Sequence, residues 1–266
     1  MSIRKMIGKI PYARNMMHQL RVFIHRGNKY ICPFCGYGST DLMERGLDNE
    51  VLHQYQIIGG GKRRCTCYQC GAYDREKLVY LFLRDNLKIF DKASKSKILH
   101  IAPEKKLSDK IRSCSFLEHI CGDLFCEGYP SYVHEMNILD LIFEDSIFDI
   151  IICNHVLEHI EDDKKAMAEL YRVLKPGGTA ILQVPISKCL DKTFEDFTIV
   201  TPIERERIFG QKDHVRIYGT DYKDRLESVG FVVKVENISK ENQKYGLNPD
   251  EDLFVCLKLY LLGCLM

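Results

Sequence analysis

Residues 97–185 decide the fold, because in this stretch short apolar segments with polar or acidic ends alternate with helical patterns. The segments, in chain order, are KILHIA (97–102), FLEHICGD (116–123), HEMNILD (134–140), FDIIICNHVLEHI (148–160) and ELYRVLKPGGTAILQVP (169–185). Such a pattern is typical of a doubly wound α/β sheet, whose ligand site lies at the carboxyl ends of parallel strands. The sequence therefore predicts a parallel sheet with several polar strand ends at one edge. Its second strand is expected at Phe116–Cys121 and its fifth at Thr179–Val184.

The second half of the stretch, FDIIICNHVLEHI…ELYRVLKPGG, resembles the class I S-adenosylmethionine (SAM) methyltransferases. From about residue 31 to residue 258, the chain is also similar to bacterial methyltransferases of the polysaccharide-biosynthesis type, which combine a cysteine-knuckle amino terminus with an APE turn. The resemblance implies an enzyme with a Rossmann-like, seven-stranded sheet that uses SAM and releases S-adenosylhomocysteine. The implied acceptor is a small molecule or glycan, namely a sugar hydroxyl of a cell-surface polysaccharide or of its lipid-linked precursor.

Two C-x-x-C pairs precede this stretch and predict a structural zinc site. The pairs are Cys32-Pro-Phe-Cys35-Gly36 and Cys67-Tyr-Gln-Cys70-Gly71, which share their internal spacing and the glycine that follows. Four thiolates suit tetrahedral Zn²⁺, and a closed four-cysteine site leaves no coordination position for a substrate. Cys65 is a competing ligand, and four unmetallated thiols or a redox pair are the alternative interpretation.

The ends of the predicted strands supply the candidates for cofactor binding that the resemblance implies. They are Ala102, Glu104, Asp123, Asn137, Ile138, Asn154 and His155. The turn HIAPEKK lacks the glycines that the family usually has there, and Glu104 is the candidate to bind the SAM ammonium group directly. Asp123 is predicted to accept hydrogen bonds from the ribose hydroxyls. The Asn137 side chain and the Ile138 amide are predicted to face the adenine.

The resemblance places Asn154 and His155 over the methionine part of SAM, at the end of the fourth strand. Methyl transfer to a hydroxyl requires alignment of the acceptor and removal of its proton. Histidine is the natural base near neutral pH. His214 is the first candidate for this base, with Asp213 as its orienting partner, and His155 is the second candidate.

A long insertion, residues 185–218, follows the fifth predicted strand and contains His214. Loop-rich blocks above strand ends commonly determine substrate specificity. Two of its arginines, Arg205 and Arg216, are candidates to bind a phosphate or carboxylate on the acceptor. A solvated lid is the alternative interpretation of these charges.

Three parts are expected along the chain: a basic amphipathic helical region at 1–29, a zinc-binding module at 30–76 and a SAM-dependent methyltransferase domain at 77–266. The first part has seven basic residues and no acidic residue. Such a helix can lie on an anionic membrane surface. The alternatives are a helix that packs Met17, Leu20 and Ile24 on the rest of the protein, and contact with RNA phosphates.

Composition is typical of a soluble globular protein, with 45% hydrophobic residues, 28% charged residues and a net charge of +1. This near-neutral charge argues against electrostatic binding of nucleic acid. The sequence has no apolar run near the roughly 20 residues that span a bilayer. The predicted location is therefore the cytoplasm. Peripheral contact of the protein with the inner face of the membrane is a further expectation.

Two other functions fit the residues. One is an rRNA or tRNA methyltransferase with a zinc module, whose RNA binding should weaken steeply with salt. The other is a non-catalytic protein of the SAM-binding fold whose zinc module binds a partner, which the missing glycines at 102–106 suggest. The identity of the acceptor and the oligomeric state are left open by the sequence.

Overall fold

The computed structural model describes residues 11–91 and 95–260. The elements before the central sheet are α1 (Pro11–Ile24), β1 (Arg26–Ile31), β2 (Gly38–Ser39), β3 (Met43–Arg45), α2 (Glu50–Gln54), β4 (Ile57–Ile58), β5 (Arg63–Thr66) and α3 (Asp74–Asp85). The next elements are β6 (Lys97–Ile101), α4 (Lys105–Arg112), β7 (Glu118–Asp123), β8 (Val133–Glu135), β9 (Phe148–Asn154), a 3₁₀ turn (Leu157–His159), α5 (Asp163–Val173) and β10 (Leu174–Gln183). The chain continues with β11 (Ile186–Ser187), β12 (Phe194–Glu195), α6 (Pro202–Phe209), β13 (Arg216–Ile217), α7 (Tyr222–Glu227), β14 (Val232–Glu236), a 3₁₀ turn (Gln243–Tyr245) and β15 (Leu253–Leu257).

The central sheet has seven strands in the order β14-β15-β10-β9-β6-β7-β8. Neighbours from β10 to β8 pair in parallel, whereas β15 pairs antiparallel with both β10 and β14. Strand order reverses beside β6, and in a doubly wound sheet such a switch point opens a crevice at the carboxyl ends of the strands. The predicted fold class, a Rossmann-like seven-stranded sheet, is confirmed.

The sheet is buried on both faces. Successive strand residues point to opposite sides, and they belong to two different apolar clusters. Leu99, Ile151 and Leu182 belong to the apolar cluster that includes Leu170 of α5. Their neighbours Ile98, Ile152 and Ile181 belong to the cluster that includes Leu81 of α3. Continuous apolar runs such as the FDIIIC of β9 are therefore required at the centre of the sheet.

Two strands do not start where the sequence suggests. The second parallel strand was expected at 116–121, but β7 begins two residues later, at Glu118. Two turn hydrogen bonds after α4, from the Cys114 amide to Ile111 and from the Leu117 amide to Cys114, occupy the residues before it. The fifth strand was expected from Thr179, but β10 begins at Leu174, which pairs with Phe148. A register shift between Leu174 and Thr179 accommodates the Pro-Gly-Gly segment.

The amino-terminal module is joined to the insertion that follows β10. Strand β4 pairs antiparallel with β11. The Ser187 hydroxyl donates to the carbonyl of Tyr55 at 2.7 Å, and the Asn49 amide donates to the carbonyl of Gly210 at 3.1 Å. Residues far apart in sequence therefore form a common cover over one end of the sheet.

Several apolar side chains of α1 are exposed to solvent, whereas Val22 packs against the cysteine module. Those exposed are Met16, Met17, Leu20, Phe23 and Ile24. The interpretation in which Met17, Leu20 and Ile24 pack on the rest of the protein is therefore wrong. Strand β1 follows at once and crosses the expected boundary between residues 29 and 30, while Arg4, Lys5 and Lys9 lie outside the described residues.

In residues 11–91 and 95–260, the structure contains no helix with the length and apolar character needed to cross a membrane.

Candidate functional site

A cleft of about 470 Å³ lies at the carboxyl edge of the parallel strands. The lining residues that the sequence predicted for cofactor or catalysis are Ala102, Asp123, Asn137, Ile138, His155 and Asp213. They lie at or just beyond the carboxyl ends of β6, β7, β8 and β9, except Asp213, which comes from the insertion. The switch point of the sheet thus brings together six predicted residues from five separate segments.

Two residues at the strand ends have left-handed backbone conformations. Ala102, directly after β6, has φ of 48°, and His155, directly after β9, has φ of 54°. Residues other than glycine adopt this region at a cost of roughly 1–3 kcal/mol, and such strain concentrates at functional sites. The turn that lacks the family's glycines therefore still takes up the conformation that favours glycine.

Asp123 ends β7 with its carboxylate only partly engaged. Oδ1 accepts from the Phe125 amide at 2.8 Å, and Oδ2 accepts from the Tyr129 hydroxyl at 3.1 Å. A carboxylate has about four acceptor positions, so oxygen lone pairs remain for a ligand that donates two hydrogen bonds. Vicinal hydroxyls of a ribose are such donors.

The wall next to Asp123 is apolar and open. Phe125 is 75% exposed and Leu124 is 46% exposed, although both line the cleft. Met136 and Ile138 lie in the same lining, and both are buried. Exposed apolar side chains around a concave surface are typical of a site for a flat, largely apolar group.

Asn137 is exposed at the rim of the cleft, after β8. Its Oδ1 accepts from the Leu139 amide at 3.0 Å, which forms a local turn. A carbonyl oxygen accepts two hydrogen bonds, so this turn leaves one position on the oxygen for a ligand.

Glu104 and Asn154 lie beneath the cleft and do not line it. The Glu104 carboxylate is within 3.1 Å of His100 Nε2 and accepts from the Asn154 amide at 3.2 Å. Although burial raises the pKa of Glu104, the hydrogen bond with His100 and the nearby Arg75 bring it below the usual value. The carboxylate is therefore ionised and already engaged by protein groups, and Asn154 supports it from β9.

Four polar side chains meet at the inner side of the cleft: His155, Glu158, His159 and His214. His155 and His159 line the cleft, whereas Glu158 and His214 line a cavity of about 10 Å³ behind it. His155 Nδ1 lies 3.5 Å from Glu158 Oε1, and the rings of His159 and His214 meet edge to face at 4.7 Å.

Burial and mutual contact set the ionisation of this group. Burial opposes ionisation of Glu158, but its hydrogen bond with His155 and the other histidines lower the pKa to about 2. Burial lowers the pKa of His214 to about 4, because the charged imidazolium loses hydration. Glu158 is therefore an anion and His214 a neutral imidazole near pH 7.

The segment around His214 is held against the 3₁₀ turn by backbone and arginine contacts. The Val215 amide donates to the carbonyl of Glu158 at 3.0 Å. The fully buried Arg216 guanidinium donates to the carbonyls of Leu157 and Glu161 at 3.0 and 2.8 Å. Arg216 is therefore a structural residue with no access to an acceptor, whereas Arg205 does line the cleft.

The predicted metal ligands Cys32, Cys35, Cys67 and Cys70 converge on one point. Their sulfur atoms all lie within 4.8 Å of one another, with 3.5 Å between Cys32 and Cys70 and 3.7 Å between Cys35 and Cys67. Sulfurs at about 2.3 Å from one tetrahedral zinc ion are roughly 3.8 Å apart. Cys65, the competing candidate, is not part of the cluster.

The two cysteine knuckles have the same backbone geometry. In the first, the backbone amide of Cys32 donates to the carbonyl of Tyr37, and the backbone amide of Gly36 donates to the carbonyl of Cys32, both at 2.9 Å. In the second, Cys67 donates to the carbonyl of Ala72 and Gly71 donates to that of Cys67, both at 3.0 Å. The glycines have φ of 71° and 79°, which is why this position favours glycine. The donor set and its geometry fit Zn²⁺.

Known proteins match the central part of this chain. The family model described as "Methyltransferase domain" matches residues 96–182. A curated "Ubiquinone/menaquinone biosynthesis C-methyltransferase UbiE" from Psychromonas ingrahamii is 41% identical over 78 residues, or 28% of this chain and 30% of that protein. The protein of the same name from Vibrio campbellii is 27% identical over 122 residues, or 44% of this chain and 47% of that protein.

Among solved structures, a SAM-dependent methyltransferase from Archaeoglobus fulgidus is 16% identical, with a TM-score of 0.45, and the match covers 69% of this chain and 94% of that one. The chain spans less than half the length of the two curated relatives. The family match contains the strand ends β6, β7, β8 and β9, and it excludes the cysteine pairs and the insertion. Residues 96–182 thus match a methyltransferase domain.

Proposed function

We propose that this protein is a SAM-dependent methyltransferase that binds SAM in the cleft at the carboxyl edge of β6, β7, β8 and β9. The observation that carries the proposal is the meeting of Ala102, Asp123, Asn137 and His155 around one open, partly apolar cleft. The match of residues 96–182 to a methyltransferase domain supports it.

The residues around the cleft fit the parts of SAM. The Asp123 carboxylate would accept hydrogen bonds from the ribose hydroxyls, and the apolar side chains of Leu124 and Phe125 would contact the adenine. Asn137 and the Ile138 amide would hydrogen-bond the adenine edge. When bound, SAM supplies a methyl group on a positively charged sulfur, which a nucleophile can attack in line.

The acceptor would enter between the strand ends and the insertion. His155, His159 and Asp213 line this side of the cleft, so they are the groups that can take a proton from an acceptor hydroxyl. His214 lies behind Glu158, and its place is to support this group. Arg205 would bind a phosphate or carboxylate on the acceptor.

A sugar hydroxyl of a polysaccharide or of its lipid-linked precursor remains the proposed acceptor, and it rests on the sequence resemblance alone. The named activity of the matched relatives favours a second candidate, a ring carbon of a quinone precursor. Methyl transfer assays with tritiated SAM and both acceptor classes distinguish the two. Label in the sugar fraction supports the first candidate, and label in the quinone fraction overturns it.

Zn²⁺ is the proposed metal of the four-cysteine cluster, which would order the module at residues 30–76 that precedes the methyltransferase domain at 77–266. The structure adds that β4 of this module pairs with β11 of that domain, and that α3 crosses the boundary between residues 76 and 77. For residues 1–29, peripheral contact with an anionic membrane surface is proposed. It is supported by the exposed Met16, Leu20 and Phe23 of α1 together with the basic residues of this region.

Calorimetry with SAM and with S-adenosylhomocysteine tests the central proposal. We expect both to bind the full-length protein with one site per chain. If neither binds at millimolar ligand, the enzyme proposal is overturned in favour of a non-catalytic partner-binding protein. Tight RNA binding that weakens steeply with salt would instead favour the RNA methyltransferase alternative.

A further inference from the structure

Glu158, His159 and His214 bring three donor groups together between the cleft and the small cavity behind it. One donor atom from each residue lies within 4.8 Å of the donor atoms of the other two. The residues come from the 3₁₀ turn and from the insertion, which the backbone hydrogen bond between Val215 and Glu158 joins. The grouping is therefore built by the fold.

Several buried polar atoms in this group and in the neighbouring His155 lack partners within residues 11–91 and 95–260. They are His155 Nε2, Glu158 Oε2 and His214 Nε2. Glu158 is only 2% exposed and His214 only 4% exposed. Since almost all buried polar atoms in native proteins have a partner, three orphaned atoms in one place indicate a missing ligand. Glu158 Oε2 and His214 Nε2 can both offer lone pairs, which a metal cation accepts.

The hydrogen bonding of His159 matches that of a metal ligand. Its Nδ1 lies 3.2 Å from the carbonyl oxygen of Asp213, so Nδ1 carries the proton and donates. This tautomer leaves the Nε2 lone pair available. Histidine ligands in metalloproteins almost always donate their second ring nitrogen to a carbonyl or carboxylate in this way.

A second buried cluster, formed by His100, His119 and Cys121, is a useful contrast. Its members also lie within 4.8 Å of one another. However, His119 Nε2 is 3.4 Å from His100 Nδ1 and 3.3 Å from Cys121 Sγ, and His100 Nε2 is bonded to Glu104. These groups satisfy one another, so nothing there calls for a ligand.

We propose that Glu158, His159 and His214 bind a divalent transition-metal ion of the zinc type, at a site distinct from the four-cysteine cluster. Two imidazoles and one carboxylate are the donor set of catalytic zinc sites and of non-haem iron sites, which keep coordination positions open. Two ligands at about 2.1 Å from one ion are at most roughly 4.2 Å apart, which is close to the 4.8 Å within which the three donor atoms lie.

His159 lines the cleft, whereas Glu158 and His214 line the small cavity behind it, so the three residues would hold the ion at the boundary between the two. The ligand chemistry that completes the site is a hydroxyl oxygen of the acceptor, which a metal ion makes more acidic. This role rests on the proposed methyltransferase function, whereas the metal binding itself does not.

Cobalt(II) titration of the full-length protein, purified with its cysteine cluster loaded with zinc, tests the site. We expect one additional equivalent of Co²⁺, with visible absorption from nitrogen and oxygen ligands and without thiolate charge-transfer bands. Glu158→Gln should weaken this binding at least tenfold. The matched control His134→Ala removes an exposed histidine of β8 and should leave the binding unchanged. If Co²⁺ binds no tighter to the wild type than to Glu158→Gln, the proposal is overturned.

X-ray absorption at the cobalt edge of the wild-type protein answers the same question without any substitution, in case Glu158→Gln does not fold. Imidazole and oxygen scatterers are expected, and a shell of sulfur alone would exclude the site. Calorimetry with SAM on the same samples separates the two proposals. SAM binding without the extra cobalt equivalent removes only the metal site, whereas cobalt binding without SAM binding removes only the methyltransferase function.

Discussion

The four-cysteine cluster and the cleft are both built from separated residues, but they are encoded in different ways. The cluster needs two local knuckles, and each knuckle is a five-residue pattern with its own hydrogen bonds and its own left-handed glycine. The cleft needs the ends of four strands and a turn of the insertion, and only the sheet brings these together. A local turn can be predicted from a short sequence pattern, whereas the meeting of distant residues at the cleft depends on the whole fold.

Loss of one thiolate should therefore have the largest effect, because the cluster depends on all four ligands. Cys67→Ser should release the bound metal and unfold the module around it. Structural zinc contributes apparent free energies of about 10–16 kcal/mol in small zinc modules. Metal content by emission spectroscopy and thermal unfolding of the full-length protein are the measurements.

The control for this prediction is Cys189→Ser, which changes an exposed cysteine outside the cluster. It should keep the wild-type zinc content and the wild-type melting temperature. Retention of the full wild-type zinc content by Cys67→Ser would show that the cluster is not a zinc site, and the contrast with the cleft would then disappear.

Removing one carboxylate from the cleft should have a smaller effect, confined to ligand binding. Asp123→Ala deletes the acceptor proposed for the ribose hydroxyls, so SAM affinity should fall at least tenfold, or about 1.4 kcal/mol. Stability should change little, because the carboxylate bonds only the nearby Phe125 amide and Tyr129 hydroxyl. Calorimetry with SAM measures the loss.

Asp191→Ala is the matched control, since it removes an exposed carboxylate of the insertion and should leave SAM affinity unchanged. Equal affinities for wild type and Asp123→Ala would mean that the ribose binds elsewhere in the cleft.

The sequence predicted the sheet and the strand ends well, because apolar runs and their polar ends reflect local burial. Ala102, Asp123 and Asn137 were placed at the edge of the sheet in this way. Ala102 directly follows β6, Asp123 ends β7, and Asn137 lies two residues beyond β8. Glu104 also follows a strand, but a sequence does not reveal that His100 and Asn154 hold its carboxylate beneath the cleft.

The group formed by His155, Glu158, His159 and His214 shows more clearly what the sequence could not predict. His214 was predicted as a base, yet the structure buries it behind Glu158, because Arg216 and Val215 draw the insertion onto the 3₁₀ turn. Glu158 and His159 were not identified as functional. The available signal was the pair of polar residues just beyond β9, close to the predicted His155.

The smallest predicted effect concerns the turn after β6, where an alanine occupies a backbone conformation that favours glycine. Ala102 has φ of 48°, where a residue with Cβ costs roughly 1–2 kcal/mol and glycine does not. Glycine in turn loses about 0.5–1 kcal/mol more chain entropy on folding. Ala102→Gly should therefore stabilise the protein by on the order of 0.5 kcal/mol in urea unfolding.

The same substitution at a helical position should have the opposite sign. Ala168 is exposed on α5, and Ala168→Gly should destabilise the protein by about 1 kcal/mol. If both variants lose stability equally, Ala102 does not adopt the left-handed turn. Stability changes of opposite sign would show that the cleft, like the two cysteine knuckles, contains a local left-handed turn. This turn cannot be predicted from the sequence pattern, because an alanine occupies the position where glycine is usual.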